Sequence, residues 1–154
     1  MIYIRKGTQE DIPQALGLVR ELAIFEKAPA EVEVTVAEMT EWGFGKDKQF
    51  DFFVAEENDQ VLGIALYYFK YSTWKGKCLF LEDIIVTESH RGKGVCQLLF
   101  DEVVKVAKET KVRRMEWQVL DWNEPAIKFY AKYNSCLDGE WINCKLTNHQ
   151  LEKM

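Results

Sequence analysis

Residues 81–100 constrain the fold of this chain more than any other part of its sequence. They read as an apolar strand carrying two adjacent acids, then a basic turn with two glycines, then an amphipathic helix. Gly92 and Gly94 allow backbone angles that other residues avoid and let the chain approach a ligand closely. Backbone N–H groups at a helix start favour negative charge in front of them. The segment therefore predicts a cradle for a phosphate or pyrophosphate beside a carboxylate pair.

Two well-known nucleotide motifs do not fit this turn. A dinucleotide fingerprint needs a third glycine where Gln97 stands, and a Walker-type loop needs Gly-Lys-Ser/Thr where Gly94 is followed by Val95. From the residues alone, a plain strand-to-helix turn remains the alternative to an anion cradle of another kind.

Length and charge exclude several classes of protein. With 154 residues, 47% hydrophobic and 29% charged, the chain has the composition of one globular domain, which we expect to span 1–154. The net charge of −5 disfavours a nucleic-acid partner and mildly favours a small cationic substrate. No run of about 18 apolar residues is present, so we expect no membrane span.

The cysteines and histidines indicate a reducing compartment and no metal. Four cysteines lack CxxC spacing and there are only two histidines. We therefore expect reduced thiols, a cytoplasmic location, no disulfide framework and no metal site. The N-terminus enters a strand pattern directly and lacks the apolar core of a signal peptide.

Periodicity along the chain predicts an α/β fold. Strands are expected over 2–5, 50–56, 61–71, 77–86, 114–120 and 140–146, and helices over about 8–25, 35–42, 95–109 and 124–133. The order β-α-α-β-β-β-α-β-α-β predicts a mixed sheet with helices on both faces. The turn at 91–97 then lies at the carboxyl end of a central strand, where open α/β sheets place ligands.

Glu82 and Asp83 are the first candidates for acid–base chemistry. Adjacent strand residues point to opposite faces, so one carboxylate should face the more buried side. Desolvation there raises a pKa and suits a general base. The alternative is an exposed strand end with both acids solvated.

The helix predicted over 124–133 carries a second group of candidates. Ala126, Phe129, Tyr130 and Tyr133 share a face by their spacing. Core packing explains such a face, and it is the favoured role for Phe129. The Tyr130 hydroxyl could instead donate a proton to a leaving group. Asn123 could cap the helix, bind a ligand, or do both.

These motifs together resemble the GNAT superfamily of acetyl-CoA-dependent N-acetyltransferases. The family's cofactor loop, Arg/Gln-x-x-Gly-x-Gly/Ala, is matched by Arg91 and Gly94, with Cys96 in place of the usual Gly or Ala. Residues 21–26, 43–45, 67–69, 74–77, 81–83 and 122–125 further resemble the diamine (spermidine/spermine) acetyltransferases and their thialysine-acetylating relatives. The resemblance implies an α/β (α+β) fold with a mixed, mostly antiparallel central sheet and helices on both faces.

The resemblance also implies a site and a mechanism. Acetyl-CoA would be the co-substrate, and Glu82 would serve as base through water, with Tyr130 as acid toward the coenzyme A sulfur. The implied cofactor-binding residues are Ile84, Ile85, Val86, Arg91, Gly92, Lys93, Gly94, Val95, Cys96, Gln97, Asn123, Ala126 and Phe129. The implied substrate-binding residues are Phe25, Glu26, Trp74, Glu82 and Asp83. Proteins of this family are typically homodimers, so a homodimer is expected.

The leading hypothesis is a small-molecule amine acetyltransferase acting on a polyamine or a thialysine- or lysine-like amine. A protein or peptide N-acetyltransferase on the same scaffold is the first alternative, and it requires an open groove. A non-catalytic acyl-CoA-binding regulatory domain is the second alternative.

Overall fold

A computed structural model describes the whole chain, Met1–Met154. The chain divides into two compact units, Met1–Gln118 and Val119–Met154. The single domain expected over 1–154 stays a prediction. Among the helices of both units, none combines the length and the apolar character that spanning a membrane requires.

The first unit contains a five-stranded sheet and three helices. Its elements are β1 (Tyr3–Lys6), α1 (Ile12–Phe25), α2 (Val36–Phe44), β2 (Asp51–Glu57), β3 (Gln60–Ser72), β4 (Gly76–Val86), α3 (Val95–Glu109) and β5 (Met115–Glu116). The strands lie in the order β1-β2-β3-β4-β5, antiparallel except for the parallel β4–β5 pair. The prediction of a mixed, mostly antiparallel sheet is confirmed.

Helices cover both faces of the sheet in this unit. Ile64 and the partly buried Leu66 of β3 join the core cluster formed with Ile12 and Leu16 of α1. A side chain at Gly63, the neighbour of Ile64, would project from the opposite face, because successive strand residues alternate between the two faces. A Cβ added there would lie 3.2 Å from Leu99 Cδ1 of α3. The sheet is therefore enclosed between α1 and α3, as the sequence predicts.

Local signals in the sequence explain where most of these elements begin. The Thr8 N–H donates to the Asp11 carboxylate at 2.7 Å, forming a capping box in the short turn before α1. The Thr35 hydroxyl accepts from an N–H in the first turn of α2 at 3.2 Å. Asn58 and Asp59 have φ values of 52° and 63°, as a tight hairpin turn between β2 and β3 requires.

Helix α2 extends past its predicted end at Trp42. Gly43, expected to terminate it, lies inside the helix, and a Cβ there would sit 2.9 Å from the Phe50 ring. The glycine therefore permits close packing against Phe50, and the helix ends before Gly45 instead.

The second unit differs most from prediction. It contains α4 (Glu124–Ala131) and α5 (Asn148–Glu152). At the end of the first unit, the strand predicted over 114–120 is limited to Met115–Glu116, so its predicted extent is wrong. In the second unit, the strand predicted over 140–146 is absent, so that prediction is wrong. An alternating pattern forms a strand only where a neighbouring strand satisfies its backbone groups. Residues 140–146 have no such partner in the chain.

Both helices of the second unit have ends that the sequence explains in retrospect. Helix α4 stops two residues before its predicted end, where Asn134 has a φ of 55° and the Ser135 hydroxyl donates to the Tyr130 carbonyl at 3.1 Å. Helix α5 was not predicted. Its signal is the capping box formed by Thr147 and Gln150.

Candidate active site

The turn between β4 and α3 has the conformation that its glycines allow. Gly92 and Gly94 have φ values of 75° and 82°, and Gly94 is the N-cap of α3. A Cβ added at either position meets no atom within 4 Å, so conformation rather than space requires glycine. The first turn of α3 carries no acidic side chain to offset the helix dipole. The turn therefore has the backbone and the charge that an anion cradle needs.

The two basic residues of the turn behave differently. The Arg91 Nε donates to the Val86 carbonyl at 3.0 Å, and its Nη2 lies 3.4 Å from a carboxylate oxygen of Glu21 on α1. Its guanidinium carbon lies 5.3 Å from the centre of the Phe25 ring. Lys93 is exposed. Arg91 thus connects the turn to β4 and α1, whereas Lys93 is placed to meet a ligand charge.

The carboxyl-terminal half of β4 has one open edge. Strand β5 pairs with β4 only at Leu79 and Phe80. From Leu81 to Val86, β4 is paired with β3 alone. Ile84, Ile85 and Val86 therefore present backbone groups of a strand that lacks a second neighbour. The unpaired N–H and C=O groups of such an edge can form hydrogen bonds with an extended ligand, as they would with an additional strand.

A β-bulge places the acid pair. Across β3 and β4, Leu66 opposes Asp83 and the next residue, Tyr67, opposes Leu81, so Glu82 is the extra residue. The Tyr68 hydroxyl donates to the Glu82 carboxylate at 3.0 Å. Tyr68 and Leu66 share one face of β3, which is the face of α1. The expectation that the two acids face opposite sides is therefore wrong, because the bulge interrupts the alternation.

The carboxylates beside the bulge are electrostatically linked. The pKa of Asp83 is raised to about 7, first by burial and then by the negative charges of Glu82 and Glu26. Burial also raises the pKa of Glu26. The pKa of Tyr68 is raised to about 12 by burial and by its hydrogen bond to Glu82, so its hydroxyl is a neutral donor. A cation entering this cluster would relieve the mutual repulsion.

The other predicted substrate residues are divided between two places. Phe25 ends α1 and is 41% exposed, and Glu26 is the C-cap of that helix, within electrostatic reach of Asp83. Trp74 is 83% exposed in the turn between β3 and β4. Strand β4 separates that turn from Asp83 by about 23 Å, at about 3.3 Å for each residue. The structure does not group Trp74 with the acids of the same chain.

The candidate residues of the second unit cluster on α4. The Asn123 side chain caps the helix by accepting from the Ala126 N–H at 3.4 Å. Tyr130 is buried, and the Phe129 ring meets it edge-on with centres 5.2 Å apart. Phe129 also contacts Tyr133, at 5.7 Å. The shared face inferred from spacing is thus an aromatic group within this unit.

A family model described as the acetyltransferase (GNAT) family matches residues 18–134. The match covers more than half of the chain and includes the bulge, the glycine turn and α4. The chain belongs to the GNAT family of acetyltransferases. As a GNAT protein it is an acyltransferase that moves an acetyl group onto an amine, with acetyl-CoA as co-substrate.

Two curated proteins and one solved structure illustrate the kinship. Thialysine N-epsilon-acetyltransferase of Bos taurus is 35% identical over 137 residues, which cover 84% of this chain and 81% of that protein. Spermidine/spermine N(1)-acetyltransferase-like protein 1 of Homo sapiens is 35% identical over 135 residues, 83% of this chain but only 19% of that protein. A predicted acetyltransferase of Clostridium acetobutylicum, crystallised with acetyl-CoA, shares the fold with a TM-score of 0.76 and 22% identity, covering 94% of this chain and 96% of that one.

Two residues of this GNAT site escaped sequence reasoning. Tyr68 lies in an aromatic run where alternation alone does not show which ring meets the acids. Glu21 of α1 contacts the segment that precedes the glycine turn. Its carboxylate accepts a hydrogen bond from the Glu88 N–H, which lies 67 residues further along the chain. Residue spacing carries no signal for a contact over such a separation.

Proposed function

We propose that this GNAT protein acetylates a primary amine of a small cationic substrate, either a polyamine or a thialysine- or lysine-like amine. The supporting observation is the cluster of Glu26, Glu82 and Asp83, in which burial raises the pKa of Glu26, and burial and the charges of Glu82 and Glu26 raise the pKa of Asp83. A cationic amine would neutralise this repulsion. Thiol release from acetyl-CoA with polyamines, thialysine, lysine and a peptide amine tests the proposal.

Proton removal from the amine is the first chemical demand. A lysine-like ammonium has a pKa of about 10.4, so a base must accept its proton. In the proposal Glu82 does so through a water molecule, while Tyr68 orients the carboxylate by its hydrogen bond. Asp83, which is the less exposed of the two acids, attracts the ammonium from the same face of the sheet. Glu82 is exposed, so water can reach it, and this supports Glu82 rather than Asp83 as the base that acts through water.

Acetyl-CoA is held in the proposal by backbone more than by side chains. The open edge of β4 at Ile84 and Val86 bonds the extended arm, and the glycine turn with the start of α3 receives the diphosphate. Lys93 adds a charge, and Cys96 at the second helical position is half-buried. Bound there, acetyl-CoA supplies the thioester that the amine attacks.

Tyr130 is proposed as the acid that protonates the departing thiolate. Replacing it with Phe removes only the hydroxyl and keeps the aromatic packing against Phe129. We expect Tyr130→Phe to retain acetyl-CoA affinity and to lose turnover by at least about a hundredfold. Calorimetry and steady-state kinetics measure both, with Tyr133→Phe as the matched control. An unchanged kcat in Tyr130→Phe would remove it from this role.

Glu26 is proposed as an electrostatic contact for the distal cation of the substrate. We expect Glu26→Gln to raise KM for polyamines by about fivefold, because one partly exposed ion pair is lost. The KM of Glu26→Gln for an uncharged amine should stay the same. The control is Glu31→Gln, which changes an exposed glutamate of the loop after α1 and should alter neither the KM for polyamines nor the KM for the uncharged amine. Equal effects on charged and uncharged amines would contradict the proposal.

The amine panel also separates the alternatives. A peptide N-acetyltransferase would release thiol with the peptide amine and not with polyamines. A non-catalytic acyl-CoA-binding domain would bind acetyl-CoA and release thiol with no amine.

We also propose a homodimer and a cytoplasmic location, as expected for this family and for the cysteine spacing. Supporting the dimer, the residues around the missing strand leave large apolar side chains exposed, with Leu137 at 64%, Trp141 at 76% and Ile142 at 86%. Such exposure is typical of an interaction surface. Sedimentation of the wild type and of a double variant, Trp141→Ser combined with Ile142→Ser, compares how strongly the two proteins self-associate.

A further inference from the structure

One carboxylate of α1 reaches the segment that leads into the glycine turn. Oε1 of Glu21 accepts from the Glu88 N–H at 2.8 Å and lies 3.4 Å from Nη2 of Arg91. The Thr87 hydroxyl donates to Oε2 at 3.3 Å. All three donors belong to residues 87–91, which connect β4 to the turn. A single helix side chain therefore contacts three of the five residues of this connection.

The contacts of Glu21 differ in strength. The bond from the Glu88 N–H is short and charge-assisted, and it caps a 3-10 turn, Glu88–His90, that has no side-chain cap of its own. The ion pair with Arg91 is long, and its side chains are 34% and 39% exposed, so it contributes little. The backbone bond therefore dominates the attachment.

The same segment is anchored to the sheet from its other side. The Thr87 N–H donates to the Leu62 carbonyl at 2.8 Å, and Arg91 Nε donates to the Val86 carbonyl. Arg91 also lies against the Phe25 ring, one helical turn after Glu21. Without Glu21, the segment would keep its sheet contacts and lose its hydrogen bonds to α1.

We propose that Glu21 is a positioning residue for acetyl-CoA: by binding the Glu88 N–H it holds residues 87–91 against α1 and so sets the place of the glycine turn. The proposal relies on the proposed function for the ligand of that turn. It also links the turn to the helix that ends in Phe25 and Glu26, the proposed substrate residues.

The test compares two substitutions of Glu21 that differ in one property. Glu21→Leu keeps the size and removes the acceptor, whereas Glu21→Gln keeps an acceptor oxygen without the charge. We expect Glu21→Leu to raise KM for acetyl-CoA about tenfold, with little change in kcat, and Glu21→Gln, whose neutral oxygen accepts more weakly than a carboxylate, to raise it only about twofold. Hydrogen exchange without ligand should accelerate over residues 87–94 clearly more in Glu21→Leu than in Glu21→Gln. Glu10→Leu, on an exposed glutamate outside the site, should change neither quantity.

A second variant removes the same hydrogen bond from the other partner. Glu88→Pro deletes the N–H at the first position of a 3-10 turn, where proline fits, and Thr87 before it is extended (φ −56°, ψ 146°). It should reproduce the rise in KM, which keeps the test decisive if Glu21→Leu does not fold.

Three outcomes are informative. Unchanged exchange and KM in Glu21→Leu, or in Glu88→Pro if Glu21→Leu does not fold, would overturn the proposal. A Glu21→Gln variant as impaired as Glu21→Leu would also overturn it, because the charge rather than the acceptor would then matter. If the wild type binds no acetyl-CoA by calorimetry, the proposed function fails, whereas faster exchange confined to residues 87–94 would still support the attachment by Glu21.

Discussion

At the scale of single residues, the bulge at Glu82 decides the chemistry. In a regular strand, the side chains of Glu82 and Asp83 would lie on opposite faces of the sheet. The bulge brings both to the side of α1, where Glu26 adds a third negative charge. Coupled carboxylates titrate as a group, so the pKa of about 7 at Asp83 depends on its neighbours.

The pH dependence of kcat/KM should reveal this coupling. In the proposed mechanism Asp83 is charged above about pH 7 and attracts the ammonium, so kcat/KM should fall below that pH. Removing a like charge in Glu26→Gln, which leaves the proposed base Glu82 in place, should lower the pKa of Asp83 and shift this acidic limb to lower pH. Asp83→Asn should abolish the limb. Kinetics between about pH 5 and about pH 9 measure it, since free amines titrate far above that range.

The control for this experiment is Glu31→Gln, which should leave the limb in place. A limb that keeps its midpoint in Glu26→Gln would show that Glu26 and Asp83 are not coupled.

At the scale of elements, the glycine turn and α3 form one functional piece. The turn needs positive φ at Gly92 and Gly94, and the helix that follows begins without a carboxylate of its own. The sequence motif therefore determines both the backbone path and the local charge. What it does not determine is where this piece sits, which depends on Glu21 and on the sheet.

Gly94→Ala and Gly76→Ala form a matched pair that separates stability from binding. Both glycines have positive φ, 82° and 80°, and a Cβ at either meets no atom within 4 Å. Each substitution should reduce the free energy of unfolding by about 1 kcal/mol, because alanine disfavours this conformation. Only Gly94→Ala should also raise KM for acetyl-CoA. Chemical denaturation and kinetics measure the two effects.

Gly76 is the first residue of β4, at the end of the strand that lies far from the proposed site. A similar rise of KM in Gly76→Ala would mean that loss of stability, rather than turn geometry, weakens binding.

At the scale of the whole molecule, the acid cluster opposes folding. An aspartate with a folded pKa of about 7 binds a proton more tightly than in the unfolded chain, where its pKa is about 3.9. Between these values the native state carries more protons, so the free energy of unfolding falls as pH rises through this window. The acid cluster that we propose as the site of the substrate cation thus makes the protein less stable at neutral pH than at low pH.

Asp83→Asn should therefore be more stable than the wild type at about pH 8, and the difference should shrink toward about pH 4. The reason is that the amide has no charge to desolvate. Urea denaturation at both pH values measures it, with Asp47→Asn, in the exposed loop before β2, as the control. A difference that is equal at both pH values would show that packing, not ionisation, is responsible.

Sequence reasoning succeeded where the physical signal is local. Thr8 with Asp11, Asn58 with Asp59, and the apolar period of α3 each act within a few residues, so their elements appear where predicted. It failed for residues 140–146 because a strand requires a neighbour that no local pattern can supply.

The sequence by itself determined the mixed sheet, its helices on both faces, the glycine turn and the family. Only the tertiary structure showed that a bulge unites Glu82 with Asp83, that Tyr68 donates a hydrogen bond to Glu82, and that Glu21 contacts Arg91 of the turn. The physical reason is range: propensity and periodicity act along a few residues, whereas these contacts join residues up to 70 positions apart. Their distances and burial exist only once the chain has folded.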